Sequence, residues 1–293
     1  MKIKGLTMSI IFEAGSANYG ETIGNVASLK KLSRGKGDQY TYISRQALRY
    51  NIVNQMGIDT TEVDVDKTVV QFAPNATIDK YPEIDLFGYM KTSEEQKTRP
   101  AVVRLSHAIS LETFKGDLDF LTNKGLFDRY AKQQNKDEEL RGGSIAQSEI
   151  HRSYYAYTVT VDLDRVGIDE NDNIEIENSE KAERIIKLLD TIRFLYRDIK
   201  GRREDLKPLF AIGGVYDIKN PIFHNALAVK DNRVDVARIK DLLYEDIAKD
   251  TYCGLVKGVF ENDNEIIEEL NAKSMPEFFD AIKGEVKEYY ESD

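Results

Sequence analysis

The chain has 293 residues, 41% of them hydrophobic and 31% charged, enough for a sizeable core under a wet surface, which excludes a disordered protein. A formal net charge of −10 argues against a generic nucleic-acid binder, and a single cysteine, Cys253, excludes an internal disulfide and suits a reducing compartment. The N-terminus shows no signal-peptide pattern and no run is long enough to span a bilayer, so a cytoplasmic protein is expected, with no membrane partner.

In chain order, residues 6–12 are β-branched and apolar and predict a strand. A glycine-dotted stretch from Gly15 to Gly37 predicts a long loop, and loops of that length inside a domain are usually functional or disordered. Residues 40–43 predict an extended approach to a helix from Arg45 to Met56, capped by Ser44 and stopped by Gly57. Residues 58–99 are acidic, irregular and punctuated by proline, and predict an insertion. Residues 101–111 predict a strand, 129–150 a polar excursion carrying Gly142 and Gly143, and 154–163 an alternating strand. Ser179 opens the longest expected helix, in which Ile185, Leu188, Leu189, Ile192, Leu195, Tyr196 and Ile199 share one face up to Gly201. Residues 209–218 predict another strand, and acidic amphipathic helices follow near 234–249 and 276–290.

Without its insertions this order is β-α-β-β-α-β. The expected fold class is therefore α+β, a modified ferredoxin-like or RNA-recognition core with large insertions. The division expected is a core over 1–230, interrupted at 58–100 and 112–150, and an acidic helical region over 231–293 packed on it. Many unrelated proteins share this order, so function must come from sites.

Most chemistry fails at the level of motif. The three histidines, His107, His151 and His224, lie far apart, and no Cys-x-x-Cys or His-Glu-x-x-His occurs, so no metal or cofactor is expected. Asp169, Asn171, Asn173, Glu175 and Glu180 fall at calcium-loop positions, but Ile174 stands where that loop needs glycine. Arg34-Gly35-Lys36-Gly37 is basic and glycine-rich without P-loop spacing, and there is no Gly-x-Ser-x-Gly.

What remains is cationic. Residues 1–57 hold eight Lys/Arg against three acids, whereas the rest holds 33 against 48. That asymmetry fits a local anion site or a basic face that meets the acidic body of a second copy. Arg45 and Arg49 share a helix face, and a helix start offers backbone N–H groups to a phosphate. Tyr40 and Tyr42 precede it as stacking platforms, with Lys30, Lys31, Arg34 and Lys36 on the stretch before them. The pattern fits a single-stranded nucleic-acid clamp, and equally an amphipathic helix with solvated arginines and core tyrosines. Gly213-Gly214 in a strand implies a close approach, by RNA or by protein. His107, His151 and Arg152 read either as satisfied polar residues or as RNA contacts.

Several blocks resemble the DevR/Cst2-type backbone subunits of type I-B CRISPR Cascade: residues 12–21 (FEAGSANYGE), 30–35 (KKLSRG), 40–49 (YTYISRQALR), 103–112 (VRLSHAISLE), 119–123 (DFLTN), 151–157 (HRSYYAY) and 210–216 (FAIGGVY). The resemblance implies an RNA-recognition fold with finger-like and thumb-like projections, residues 129–150 forming the thumb. It implies copies winding along one CRISPR guide RNA, beside small capping, large and guide-processing subunits, with the bases left to pair with target DNA. Ser44, Arg45 and Arg49 then become the first candidates for phosphate contacts, and Asn18, Lys31 and Arg34 the second. The subunit is expected to be non-catalytic. Two rivals remain: a type III-like metal-dependent ribonuclease, with Asp38 as the nearest candidate aspartate, and a developmental or transcriptional regulator binding duplex DNA, for which no helix-turn-helix is visible.

Overall fold

The structure, a computed structural model, describes residues 3–92, 96–134 and 145–292. The first strand, β1 (Gly5–Ala14), alternates so that Leu6, Met8, Ile10 and Phe12 enter the main core. The stretch expected to be a loop is instead three short strands, β2 (Tyr19–Ile23), β3 (Val26–Leu29) and β4 (Lys31–Arg34). Next comes β5 (Asp38–Ile43), hairpinned onto β4 through Gly35 and Gly37, whose φ values of 59° and 103° only glycine adopts freely. Helix α1 (Arg45–Met56) has the expected ends: Ser44 accepts from the Ala47 N–H, and Gly57 closes it in the left-handed conformation at φ 63°.

The acidic insertion is built of small units: β6 (Val63–Asp66) with β7 (Val69–Phe72), α2 (Pro82–Phe87), and β8 (Tyr89–Lys91) with β9 (Lys97–Arg99). It has a satellite core of Ala73, Ala76, Ile78, Ile84 and Tyr89. The expected 101–111 strand is two, β10 (Val103–Leu105) and β11 (Ala108–Ser110), broken where Ser106 Oγ accepts the Thr158 N–H. The second excursion contains β12 (Asp117–Thr122), α3 (Lys124–Gln133) and β13 (Ile145–Ile150); Gly142 and Gly143 lie outside the described residues. Every residue of β12 is exposed.

Strand β14 (Ser153–Asp162) pairs with β1 from Gly5–Asp162 to Ala14–Ser153, placing Tyr155, Tyr157, Val159 and Val161 on the face of Phe12, Ile10, Met8 and Leu6. A short hairpin of β15 (Ile168–Asp169) and β16 (Ile174–Glu175) leads into α4 (Asn178–Ile192). That helix stops well before Gly201. The following residues form a hairpin, β17 (Tyr196–Ile199) with β18 (Arg202–Asp205), turning at Lys200 and Gly201 with φ of 50° and 77°. After β19 (Phe210–Tyr216) come the two-residue strands β20 (Val229–Lys230) and β21 (Arg233–Val234). The expected 234–249 helix is split into α5 (Val236–Lys240) and α6 (Glu245–Ala248). Strand β22 (Thr251–Leu255), α7 (Asp263–Leu270), β23 (Lys273–Ser274) and α8 (Met275–Glu291) complete the described chain, α8 being longer than α4.

The main sheet runs β23-β22-β19-β1-β14-β11-β5-β4, with β10 also on β14. Its middle, β19-β1-β14-β11, holds the fourth, first, third and second strands of a β-α-β-β-α-β unit, all antiparallel. This is the ferredoxin-like order, with mixed sheets and inserted elements added. One face carries α1, α4 and α8 through Leu48, Ile52, Ile185, Leu188, Phe278 and Ile282. Each such side chain contributes about 1.5–3 kcal/mol by leaving water. The other face is covered by residues 222–272 over Ile11, Phe210 and Ile212. That cover thins toward β11 and β5, where Ile109 and Tyr42 stand opposite each other, each only partly buried.

Candidate nucleic-acid interface

The partly open end of the second sheet face is where the cationic residues gather. In β5, Thr41 and Ile43 turn into the core, so Tyr40 and Tyr42 turn to this face. Three backbone bonds knit Asn18, Lys30 and Tyr42 together: Asn18 N–H to Tyr42 O (3.2 Å), Lys30 N–H to Asn18 O (2.7 Å) and Tyr42 N–H to Lys30 O (3.1 Å). The stretch before α1 is therefore braced, and its cations stand at set positions.

The start of α1 is more occupied than its sequence suggests. Of the first four N–H groups, Ser44 donates to Asn18 Oδ1 (2.8 Å), Arg45 to His107 Nδ1 (3.0 Å) and Ala47 to Ser44 Oγ (3.2 Å). Only the Gln46 N–H lacks a partner among the described residues, so the helix end is not the open row of donors expected for a phosphate. Asn18, Ser44 and His107 hold the helix start in place. His107 packs edgewise on Tyr42 with ring centroids 5.2 Å apart. Burial depresses its pKa first, and the charges of Arg45 and Lys30 lower it further.

Arg45 and Lys30 are exposed, as are Arg34 and Lys36 at the β4–β5 turn. The Arg34 guanidinium lies 5.7 Å over the Tyr40 ring. Lys31 differs: it pairs with Glu149 at 2.7 Å and lies 4.4 Å over Phe114. Arg49 is also engaged, with Glu83 at 3.5 Å and the Phe87 ring at 5.0 Å.

Sequence reasoning missed Arg104 and His224. Arg104 joins Arg45 and Arg49 around one cleft and is held by both oxygens of Asp162, at 2.9 and 3.0 Å. His224 stands 3.2 Å from Thr158 Oγ1, its pKa lowered by burial and then by the charge of Arg34. Both reach this face through strand pairing or the returning chain, which no local motif signals.

The other candidates lie elsewhere. His151 is buried, with Nδ1 2.8 Å from Thr41 Oγ1, which is itself 2.7 Å from the Tyr155 hydroxyl; burial lowers its pKa. Arg152 is exposed and ion-paired with Glu13. At Gly213 and Gly214 the approaching group is protein backbone. A Cβ on Gly213 would stand 2.1 Å from Thr7 O, and one on Gly214 1.8 Å from Asp250 O. Gly15 and Ser16, from the glycine-rich stretch, donate their N–H groups to Glu204 Oε1 at 2.7 and 3.1 Å, so that small cradle holds the protein's own carboxylate. The calcium-like run is similarly engaged, Asp169 by the Tyr89 hydroxyl (2.8 Å) and Glu175 by Lys181 (2.7 Å).

Asp38 is exposed at the start of β5, opposite Arg34. Among the described residues no three His, Cys, Asp or Glu side chains gather as a metal-binding group, and no helix is long and apolar enough to cross a membrane.

Solved structures of other proteins share this architecture. A chain of a "CRISPR RNA-guided surveillance complex, pre-nicking" superposes with a TM-score of 0.60 at 12% identity, covering 96% of this chain and 99% of that one. A chain of a "CRISPR RNA-guided surveillance complex" gives 0.59 at 15% identity, covering 96% and 98%. At such identities the likeness is one of fold. No curated protein sequence matches the chain. The family model described as "CRISPR-associated negative auto-regulator DevR/Csa2" matches residues 6–237, the greater part of the sequence, and the chain belongs to that family.

Proposed function

We propose that this protein is a non-catalytic, RNA-gripping backbone subunit of a CRISPR RNA-guided surveillance complex, with copies arrayed along the guide RNA and its bases left free to pair with target DNA. The observation that carries this reading is end-to-end likeness: chains of such complexes match it over 96% of its length and 98–99% of theirs, within the family the sequence belongs to. The partly open sheet end supports it physically. Lys30, Arg34 and Arg45 supply exposed charge, Tyr40 and Tyr42 supply ring faces, and Asn18, Ser44 and His107 brace the helix start. A sequence-blind grip needs that combination, because phosphates and ring faces are common to all bases. We take the insertions at 58–100 and 112–150 as the finger-like and thumb-like projections, with the thumb over 129–150. The acidic remainder limits sticking to arbitrary nucleic acid and faces the basic end of the next copy.

The test is titration of labelled CRISPR RNA at several salt concentrations, with wild type and a Lys30→Ala/Arg45→Ala variant. Each phosphate contact on a single strand contributes about −0.7 to the slope of log K against log salt. The double variant should therefore bind more weakly, with a slope shallower by about 1.4. Equal slopes would remove these residues from the site. The family description names a negative auto-regulator, which favours one rival. Tighter binding to duplex DNA than to CRISPR RNA would transfer the chain to that role.

A further inference from the structure

Beside the α1 start lies a cleft of about 420 Å³ that phosphate contacts do not explain. Phe87, Val103 and Leu105 give it an apolar wall, and Arg45, Arg49 and Arg104 stand around it. Two of these arginines already have carboxylate partners. Arg49 rests over the Phe87 ring at 5.0 Å with Glu83 at 3.5 Å, and Arg104 is held by both oxygens of Asp162. Arg45 alone has no carboxylate partner among the described residues. The cleft thus combines one uncompensated cation with a flat, apolar, guanidinium-edged interior. Glu83 and Asp162, behind the cleft lining, offset the charge of Arg49 and Arg104, so a phosphate gains little inside it beyond what Arg45 offers. A planar neutral ring would meet surfaces to stack on, because guanidinium planes and apolar faces both take unstacked bases.

We propose that this cleft receives one unstacked nucleobase of the bound RNA while Arg45 holds the adjoining phosphate, with Arg49 a stacking residue. The inference rests on the RNA-binding reading above and assigns the ligand class of this cleft. Stacking without base-edge readout tolerates any sequence, as a guide-binding protein requires.

An abasic scan tests it: a short single-stranded RNA carries the abasic nucleotide at each position in turn, and wild type, Arg45→Ala, Arg49→Leu and Arg49→Lys are compared. A stacked base is worth about 1–3 kcal/mol, so one position in the scan should cost wild type about 5- to 150-fold in affinity. Arg49→Leu should lose a similar factor on intact RNA, keep the wild-type salt slope and become indifferent to the abasic position. Arg49→Lys keeps the charge and the Glu83 pair but loses the planar face, and should behave the same way should the leucine variant fail to fold. A flat scan in wild type, with RNA still bound, overturns the base pocket and leaves the RNA reading intact. A shallower salt slope in Arg49→Leu makes Arg49 a phosphate contact and overturns its assignment. Absence of RNA binding by wild type overturns the reading beneath both.

Discussion

His107 uses its Nδ1 lone pair to accept the Arg45 N–H, so the bond exists only while the ring is neutral there. All three histidines carry pKa values lowered by burial. In the unfolded chain they return to about 6.5. Between the folded and unfolded values the unfolded chain binds more protons, so this contribution to stability is complete above about 6.5 and is lost as pH falls through the depressed folded values. The melting temperature should drop between pH 7.5 and pH 5.5, and His151→Gln, which removes the most buried ring, should show a smaller drop. Parallel curves for wild type and variant would show that His151 is not part of the effect. Part of the candidate site was readable at this scale. Ser44 as cap and Arg45 as exposed cation follow from local sequence, because a helix start is specified within four residues. The Asn18–Ser44 bond and the Asp162 grip on Arg104 were not readable, since their partners lie 26 and 58 residues apart and meet only through sheet pairing.

Strand β19 shows what a glycine pair does inside a sheet. The Gly213 Cβ position lies 2.1 Å from Thr7 O and 2.7 Å from Met8 Cα, both backbone atoms of β1 that cannot swing aside. Gly213→Ala should destabilise the protein by about 1–3 kcal/mol or more, seen as a lower urea midpoint, while RNA affinity of the folded fraction stays unchanged. A variant of native stability with weakened RNA binding would return Gly213 to the interface. Elements dominated by alternation, β1 and β14, were legible, because each buries one complete face. The three strands within 15–37 were not, since short polar strands owe their form to neighbours. The periodicity of α4 misleads beyond Ile192 for a related reason. Leu195, Tyr196 and Ile199 fall in helical phase, yet Glu204 of the returning strand meets Arg197 and the Gly15–Ser16 N–H groups, which favours a hairpin.

At the scale of the whole molecule, the insertion over residues 58–99 is tied to the core by buried charge. Asp85, fully buried, accepts from Arg99 at 2.7 Å, Arg184 at 2.8 Å and the Gly167 N–H at 2.9 Å, linking α2 to β9, α4 and the segment after β14. Asp85→Asn leaves Arg99 buried without a counter-charge and should cost about 3–5 kcal/mol, measured by chemical denaturation. An unchanged midpoint would show that the insertion is anchored by its apolar contacts alone.

The placement of β1 also sets a timetable for synthesis. It is made well ahead of both its neighbours, β14, beginning at Ser153, and β19, beginning at Phe210. At a translation rate of about 5–20 residues per second, β1 leaves the ribosome roughly 7–28 s before either edge can be paired. Through that interval a ten-residue strand with Leu6, Met8, Ile10, Ile11 and Phe12 has nothing to zip against, which makes it a ready client for holdase chaperones. Nascent chains arrested before residue 153 should be captured by such chaperones far more than chains arrested after residue 260.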